Sequence, residues 1–239
     1  MFGHLPQWIF ARAVLGVAAL LVSLQTQALA ESPTVNAVTG QGSVPIGALA
    51  SELKVGDVVF IRVTARPFME VSDATQSWTN HVGVVVDTLG NEPLIGESTF
   101  PLSRTTPLSR FVARSENGRV AVSRLAAPIT PEQVLRLALA AERRSGVFYD
   151  TGFNLHSQRQ FCSRFVREVL RESTGVVVGE IETFRQLFAA HPQVKLDFWK
   201  FWYFGRIPWD RETVTPASVL RSSELTVVFD GNAVAAAPR

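Results

Sequence analysis

His81-Val82-Gly83-Val84-Val85-Val86, then Asp87 to Pro93, then Leu94-Ile95-Gly96-Glu97-Ser98 is the stretch on which the fold turns. The first segment is rich in β-branched residues and reads as a strand. Gly90-Asn91 supplies a turn signal, and the third segment reads as the strand coming back. Upstream, Leu53-Lys54-Val55-Gly56-Asp57 turns into a further strand, Val58-Val59-Phe60-Ile61-Arg62-Val63. A loop or short helix follows through Met69 and Trp78. Downstream, a polar, proline-containing connection leads to a strand over 119–124. Pro131 then opens a helix through Arg144 with Thr130 as its N-cap. A loop from Gly146 to Gln160 precedes a second helix that begins at Cys162. Consecutive strands with segregated helices predict an α+β fold rather than alternating βαβ units.

The N-terminus carries Arg12 as its one firm positive charge, followed by an apolar run from Ala13 to Leu24 and the triplet Ala28-Leu29-Ala30. This is the pattern of a cleaved secretory signal, and the run is short of the ~20 residues a membrane span needs. The expected organisation is a signal peptide over 1–30, a flexible leader over 31–50 and one domain over 51–239. Removing the first 30 of 239 residues leaves 209, enough for a full hydrophobic core. The formal charge then falls from +2 to +1, because Arg12 is the only charged side chain removed. Basic residues are scattered rather than gathered into a stripe, which argues against a nucleic-acid partner. Export sets the expected place as the periplasm.

An exported chain with a single cysteine cannot use it for an internal disulfide. In Gln160-Phe161-Cys162-Ser163-Arg164-Phe165-Val166-Arg167-Glu168-Val169-Leu170 the apolar residues recur at helical spacing, with Cys162 in the first turn. Helix-end N–H groups there favour an anion. The competing reading is a small buried core residue, the commonest fate of a free cysteine. His81 heads a strand and Glu97 lies on the strand that returns. If paired residues sum to about 178, the two stand directly opposite, and a one-residue slip would turn Glu97 to the other face. In that register Glu97 accepts from one imidazole nitrogen and leaves the other facing the thiol, the nucleophile–base–orienter arrangement in its cysteine form. The competing readings are a strand-end histidine bonded to the backbone and an exposed strand glutamate. N–H groups near Cys162 and Ser163 are candidate oxyanion donors.

His156 on the preceding loop is a second candidate base, Tyr149 a candidate cleft or oxyanion residue, and Asp150 a loop cap. No zinc-ligand spacing, Gly-rich phosphate loop or G-x-S-x-G elbow is present, so neither a metal nor a cofactor is expected. Asp197 to Trp209 is dense in aromatic residues that keep to no single helical face. This reads either as a segment packed over the domain or as a lid or membrane-facing patch.

Asn80-His81-Val82-Gly83-Val84-Val85, Gly96-Glu97-Ser98, Phe148-Tyr149-Asp150 and Gln160-Phe161-Cys162-Ser163 together resemble the YiiX/YebB-like branch of the NlpC family, circularly permuted papain-like cysteine hydrolases. The histidine strand precedes the cysteine helix, as in that branch, and Val55 to Phe60 and Arg211 to Pro216 fit its frame. The resemblance implies a permuted papain-like fold, an antiparallel sheet packed against helices with the nucleophile at a helix N-terminus. It implies amide hydrolysis through a thioester, with Cys162 as nucleophile, His81 as base and Glu97 as third polar residue. Arg164 departs from the family, which often has an acidic residue there; it binds an anionic substrate group or is merely solvated. Ser163, Tyr149 and Arg164 are thus the candidate substrate or oxyanion residues. Three readings remain: an amidase or peptidase on peptide-like substrates such as cell-wall peptides, a thiol-dependent acyltransferase or lipid hydrolase, and a non-catalytic envelope module touching wall or membrane.

Overall fold

The computed structural model describes residues 42–234. The signal peptide expected over 1–30 lies outside them. A seven-stranded sheet runs β1 (Ser43–Pro45), β9 (Leu225–Val234), β6 (Ser115–Leu125), β2 (Val58–Val63), β3 (His81–Asp87), β4 (Leu94–Glu97) and β5 (Arg104–Pro107) in spatial order. Every pairing is antiparallel except β1 with β9. The α+β architecture is therefore the observed one.

The sheet is buried on both faces, which explains why Val58, Val59, Phe60 and Ile61 are all apolar rather than alternating. On one face Val58, Phe60, Val82 and Val84 pack under α4 (Pro131–Glu142) and α5 (Cys162–Thr174). On the other, Val59, Ile61, Val85 and Ile95 pack with α1 (Ile46–Glu52) and Phe111 of α3 (Leu108–Val112). α4 begins at a complete capping box between Thr130 and Gln133. α5 turns Phe165, Val166, Val169 and Leu170 inward and stops at Gly175, whose φ of 82° suits the left-handed cap.

The segment through Met69, a loop or short helix by sequence, is the helix α2 (Arg66–Thr75). Two expectations need correction. The leader does not run to residue 50: Ser43–Pro45 is paired to β9, and α1 buries Leu49. The second is β9, where the sequence reading placed no strand. Asp230-Gly231-Asn232 is turn chemistry by composition, yet it sits inside β9 because β6 offers a long antiparallel partner.

The aromatic segment forms α7 (Asp197–Trp202) and packs with α6 (Phe184–Ala190) into a separate apolar cluster containing Phe184, Phe188, Trp199 and Ile207. Trp199 is buried in it, while Phe201 and Phe204 point to solvent. A short ladder, β7 (Glu182–Thr183) with β8 (Glu212–Thr213), ties this layer to α8 (Pro216–Leu220) and so to α5.

Candidate active site

Cys162 is the first residue of α5, and its N-cap, Phe161, has no side chain that can cap. The first-turn N–H groups of Cys162, Ser163 and Arg164 therefore lack a capping oxygen and remain available to an anion. Packing among Phe161, Phe165 and Val166 fixes this end of the helix.

His81 opens β3 and is wholly buried, its ring 5.6 Å from Phe68 edge-on and 5.6 Å from Phe111. Its Nε2 lies 2.6 Å from Oε2 of Glu97. An ionised carboxylate can only accept, so Nε2 carries the proton and Nδ1 is left to accept. Nδ1 completes no hydrogen bond, but Cys162 is near enough to act on the ring. Resting thiol–imidazole pairs are often loose in this way and tighten when substrate binds. Burial opposes the charged ring. The polar influence of nearby Cys162 and of Glu97 outweighs it, so the His81 pKa rises from 6.5 to about 9.

The hairpin register differs from the expected one. Val84 faces Gly96 and Val85 faces Ile95, so paired residues sum to 180 rather than 178. The slip is two residues, and an even slip keeps Glu97 on the face of His81. Glu97 reaches the ring diagonally, within the span of a long side chain. Three groups outside the sequence reading hold it there. The Thr106 hydroxyl donates to Oε1 at 2.6 Å, and Nη2 of Arg114 donates to both oxygens, at 2.9 and 2.8 Å. Arg104 stands further off, 3.9 Å from Oε1. Burial alone would raise the Glu97 pKa, but the His81 hydrogen bond and charge, then Arg114, hold it near 2.

Tyr149 is buried and lines the cavity at Cys162. Burial, then the charge and hydrogen bonding of the sulfur, push its phenol well above 10, so it stays a neutral donor. Ser163 spends its hydroxyl on the carbonyl of Val214 at 2.7 Å, leaving its backbone N–H as the group for an oxyanion. Arg164 is neither an anion binder at the cavity nor a solvated charge. Its Nε donates to Glu168 at 2.7 Å and its Nη1 to the carbonyls of Ser157 and Arg159, which fastens the loop before Cys162. His156 pairs with Glu212 at the surface, 2.7 Å apart, away from the thiol. Asp150 accepts from the N–H groups of Gly152 and Asn154, as a loop cap does.

Cys162, His81 and Glu97 thus stand as a chain, with apolar rings around the imidazole and unpaired helix N–H groups beside the sulfur. The constellation can pass a proton between sulfur, ring and a leaving group while the N–H groups hold a developing oxyanion.

A family model described as permuted papain-like amidase enzyme, YaeF/YiiX, C92 family, matches residues 52–229. The uncharacterized protein YiiX of Escherichia coli K12 is 30% identical over 185 residues, spanning 77% of this chain and 90% of that one. The crystal structure of metalloprotein YiiX from Escherichia coli O157:H7 has a TM-score of 0.68 at 29% identity, covering 74% of this chain and 97% of that one. Among the described residues of this chain, no group of three or more His, Cys, Asp or Glu is arranged to hold a metal ion. His81 Nε2 is already engaged by Glu97, which leaves Nδ1 and the sulfur as a two-donor set, short of the usual four. The residues do not fit a metal, and no step is routed through one.

Proposed function

The chain belongs to the permuted papain-like amidase family of YaeF and YiiX, and we propose that it is an exported cysteine amidase cleaving peptide-like amides through a thioester. The family's enzyme class stands against a non-catalytic module, which would need neither the thiol nor the buried His81–Glu97 pair. We place the family within the wider NlpC group on its permuted order, histidine strand before cysteine helix.

The observation that carries the reading is the position of His81, between the Glu97 carboxylate at 2.6 Å and the sulfur at the open end of α5. With the thiol proton held on Nδ1, as the raised His81 pKa favours, the sulfur attacks the amide carbon. The oxyanion is met by the N–H groups of the first turn and by the Tyr149 phenol. As the C–N bond breaks, the imidazolium returns that proton to the leaving nitrogen, and the amine departs. Water then attacks the thioester, giving its proton to Nδ1 and its oxygen to the carbon. The C–S bond breaks, the thiol is restored, and a carboxylic acid leaves. Glu97 keeps the proton on Nε2 and offsets the positive ring.

Export is inferred from the Arg12, Ala13-to-Leu24 and Ala28-Leu29-Ala30 pattern, with the periplasm as destination. A bacterial envelope offers two pools of such amides, wall peptides and N-acylated lipids. Mass spectrometry of the chain from a periplasmic fraction should find an N-terminus at Glu31; a chain retaining Met1 would overturn the cleavage.

Cys162→Ala should abolish turnover and leave the fold intact, since one buried sulfur is worth about 1–2 kcal/mol. Iodoacetamide should alkylate Cys162 at pH 7 at least tenfold faster than in His81→Ala. Equal rates would mean an unactivated core thiol and would sink the amidase reading.

A further inference from the structure

We propose that α7 and the turn after it dock on an anionic lipid surface, with the Phe201 and Phe204 rings entering the bilayer.

The end of α7 departs from what a helix terminus prefers. The Gly205 N–H donates to the Lys200 carbonyl at 2.6 Å and the Phe204 N–H to the Phe201 carbonyl at 3.1 Å, which is a Schellman closure. That closure needs a left-handed residue just past the helix, and Phe204 supplies it at a φ of 50°. Glycine takes this conformation at no steric cost, whereas a bulky side chain is strained in it. The ring gains no packing in return: Phe204 is 95% exposed, and nearby Phe201 is 80% exposed. A side chain that strains its own backbone and packs against nothing in its own chain points to a contact outside it.

The platform under the two rings is fastened. Trp199 is buried in the cluster with α6. The Trp202 indole donates to the Thr151 carbonyl at 2.9 Å and the Tyr203 hydroxyl to the Gly152 carbonyl at 3.2 Å. Trp202 stacks on Phe198 and Tyr203 on Trp199. So held, α7 is a fixed support and not a lid poised to swing.

Area and charge select the occupant. Two aromatic side chains offer roughly 300–400 Å². That is about half of the ~800 Å² that each partner gives to a stable protein interface. A bilayer needs no complementary surface, only rings that can leave water. Around them Lys195, Lys200 and Arg206 are exposed, as are the acids Asp197 and Asp210. Asp210 is tied to Arg185 at 3.0 Å, so the patch carries four cations against two acids. Apolar prongs with a surplus of Lys and Arg beside them suit anionic headgroups. Trp202 also lines the cleft that Cys162 borders, so a docked α7 keeps the thiol near the lipid.

The test is co-sedimentation of the chain recovered from the periplasm with vesicles of phosphatidylcholine, alone or with phosphatidylglycerol added. Binding should need the anionic lipid and weaken with salt. Phe204→Gly should lower vesicle affinity about tenfold, the worth of burying most of one ring, and Lys200→Gln about fivefold. The urea midpoint of Phe204→Gly should not fall, because glycine relieves the turn. To follow the position itself, an environment-sensitive dye is attached to Phe204→Cys in the Cys162→Ala chain, where it meets the only thiol. Leu89→Cys, on the exposed turn after β3, is the reference. Emission from 204 should brighten and shift to the blue on anionic vesicles, and emission from 89 should not. An unchanged dye at 204, or vesicle binding unaltered in Phe204→Gly, would overturn the proposal. So would a urea midpoint that falls in Phe204→Gly, since the ring would then serve the fold. A dye response at 204 that grows with protein concentration in the absence of lipid would give the patch to a second copy of the chain and likewise overturn it.

Discussion

Glu97 is surrounded at close range by one imidazole, one hydroxyl and one guanidinium, and each partner constrains a different freedom. Thr106 and Arg114 fix the carboxylate, and the fixed carboxylate selects the His81 tautomer. Glu97→Gln keeps the shape but offers Nε2 a donor as readily as an acceptor, so the ring can turn its proton toward the sulfur. The fall in kcat should be about 10²–10⁴-fold, the range that loss of a triad carboxylate or of acid–base catalysis implies. The pH profile carries the sharper signature. In the proposed mechanism His81 is the acid toward the leaving amine, and its pKa of about 9 would set a basic limb there. Without the Glu97 charge and hydrogen bond, that limb should move down toward 6.5. Steady-state rates from pH 5 to 10 read both effects. An unmoved limb would pass the orienting role to another group.

Gly83 stands between His81 and Val85 on β3, and its missing side chain is what lets the hairpin and α3 close on each other. A Cβ there would meet Cγ2 of Ile95 at 2.5 Å, the Gly96 carbonyl at 3.0 Å and the Phe111 ring at 3.1 Å. Phe111 is also the ring against His81, so Gly83→Ala disturbs core and site together. The expected loss is about 1–3 kcal/mol of stability, read from the urea midpoint, with a lower kcat. Stability equal to the parent would mean that Ile95 and Phe111 yield freely. The same hairpin marks what was legible in the sequence. His81, Glu97 and Cys162 could be found because each sits on a strongly patterned element, and strand parity places Glu97 correctly even with the register two residues off. Thr106 and Arg114 reach Glu97 from β5 and from just beyond α3, elements too short to carry a periodic signal. Arg164 was misplaced for a related reason: its partners are loop carbonyls, and no pattern of residue types encodes a carbonyl's direction.

Across the whole molecule, the buried pair links folding to pH in opposite senses at its two ends. Glu97 has a folded pKa near 2 against an ordinary 4.5, so its contribution is present above pH 4.5 and is lost as pH falls through about 2. His81 has a folded pKa of about 9 against 6.5, so its contribution is complete below pH 6.5 and is lost as pH rises through about 9. The site therefore stabilises the fold fully only between pH 4.5 and 6.5. Each displacement corresponds to roughly 3 kcal/mol at ~1.4 kcal/mol per pH unit, and because both describe one interaction they are not added. Urea unfolding should give its highest stability in that window and a decline on the order of 3 kcal/mol toward pH 9. The nearness of Cys162 is the largest influence raising the His81 pKa. Cys162→Ala should accordingly flatten the alkaline decline while leaving the acid side, which Glu97 governs, in place. An alkaline decline as steep in Cys162→Ala as in the parent would mean that the sulfur does not hold the proton on His81, and the thiol–imidazole pair would have to be abandoned even if the Glu97 arm survived.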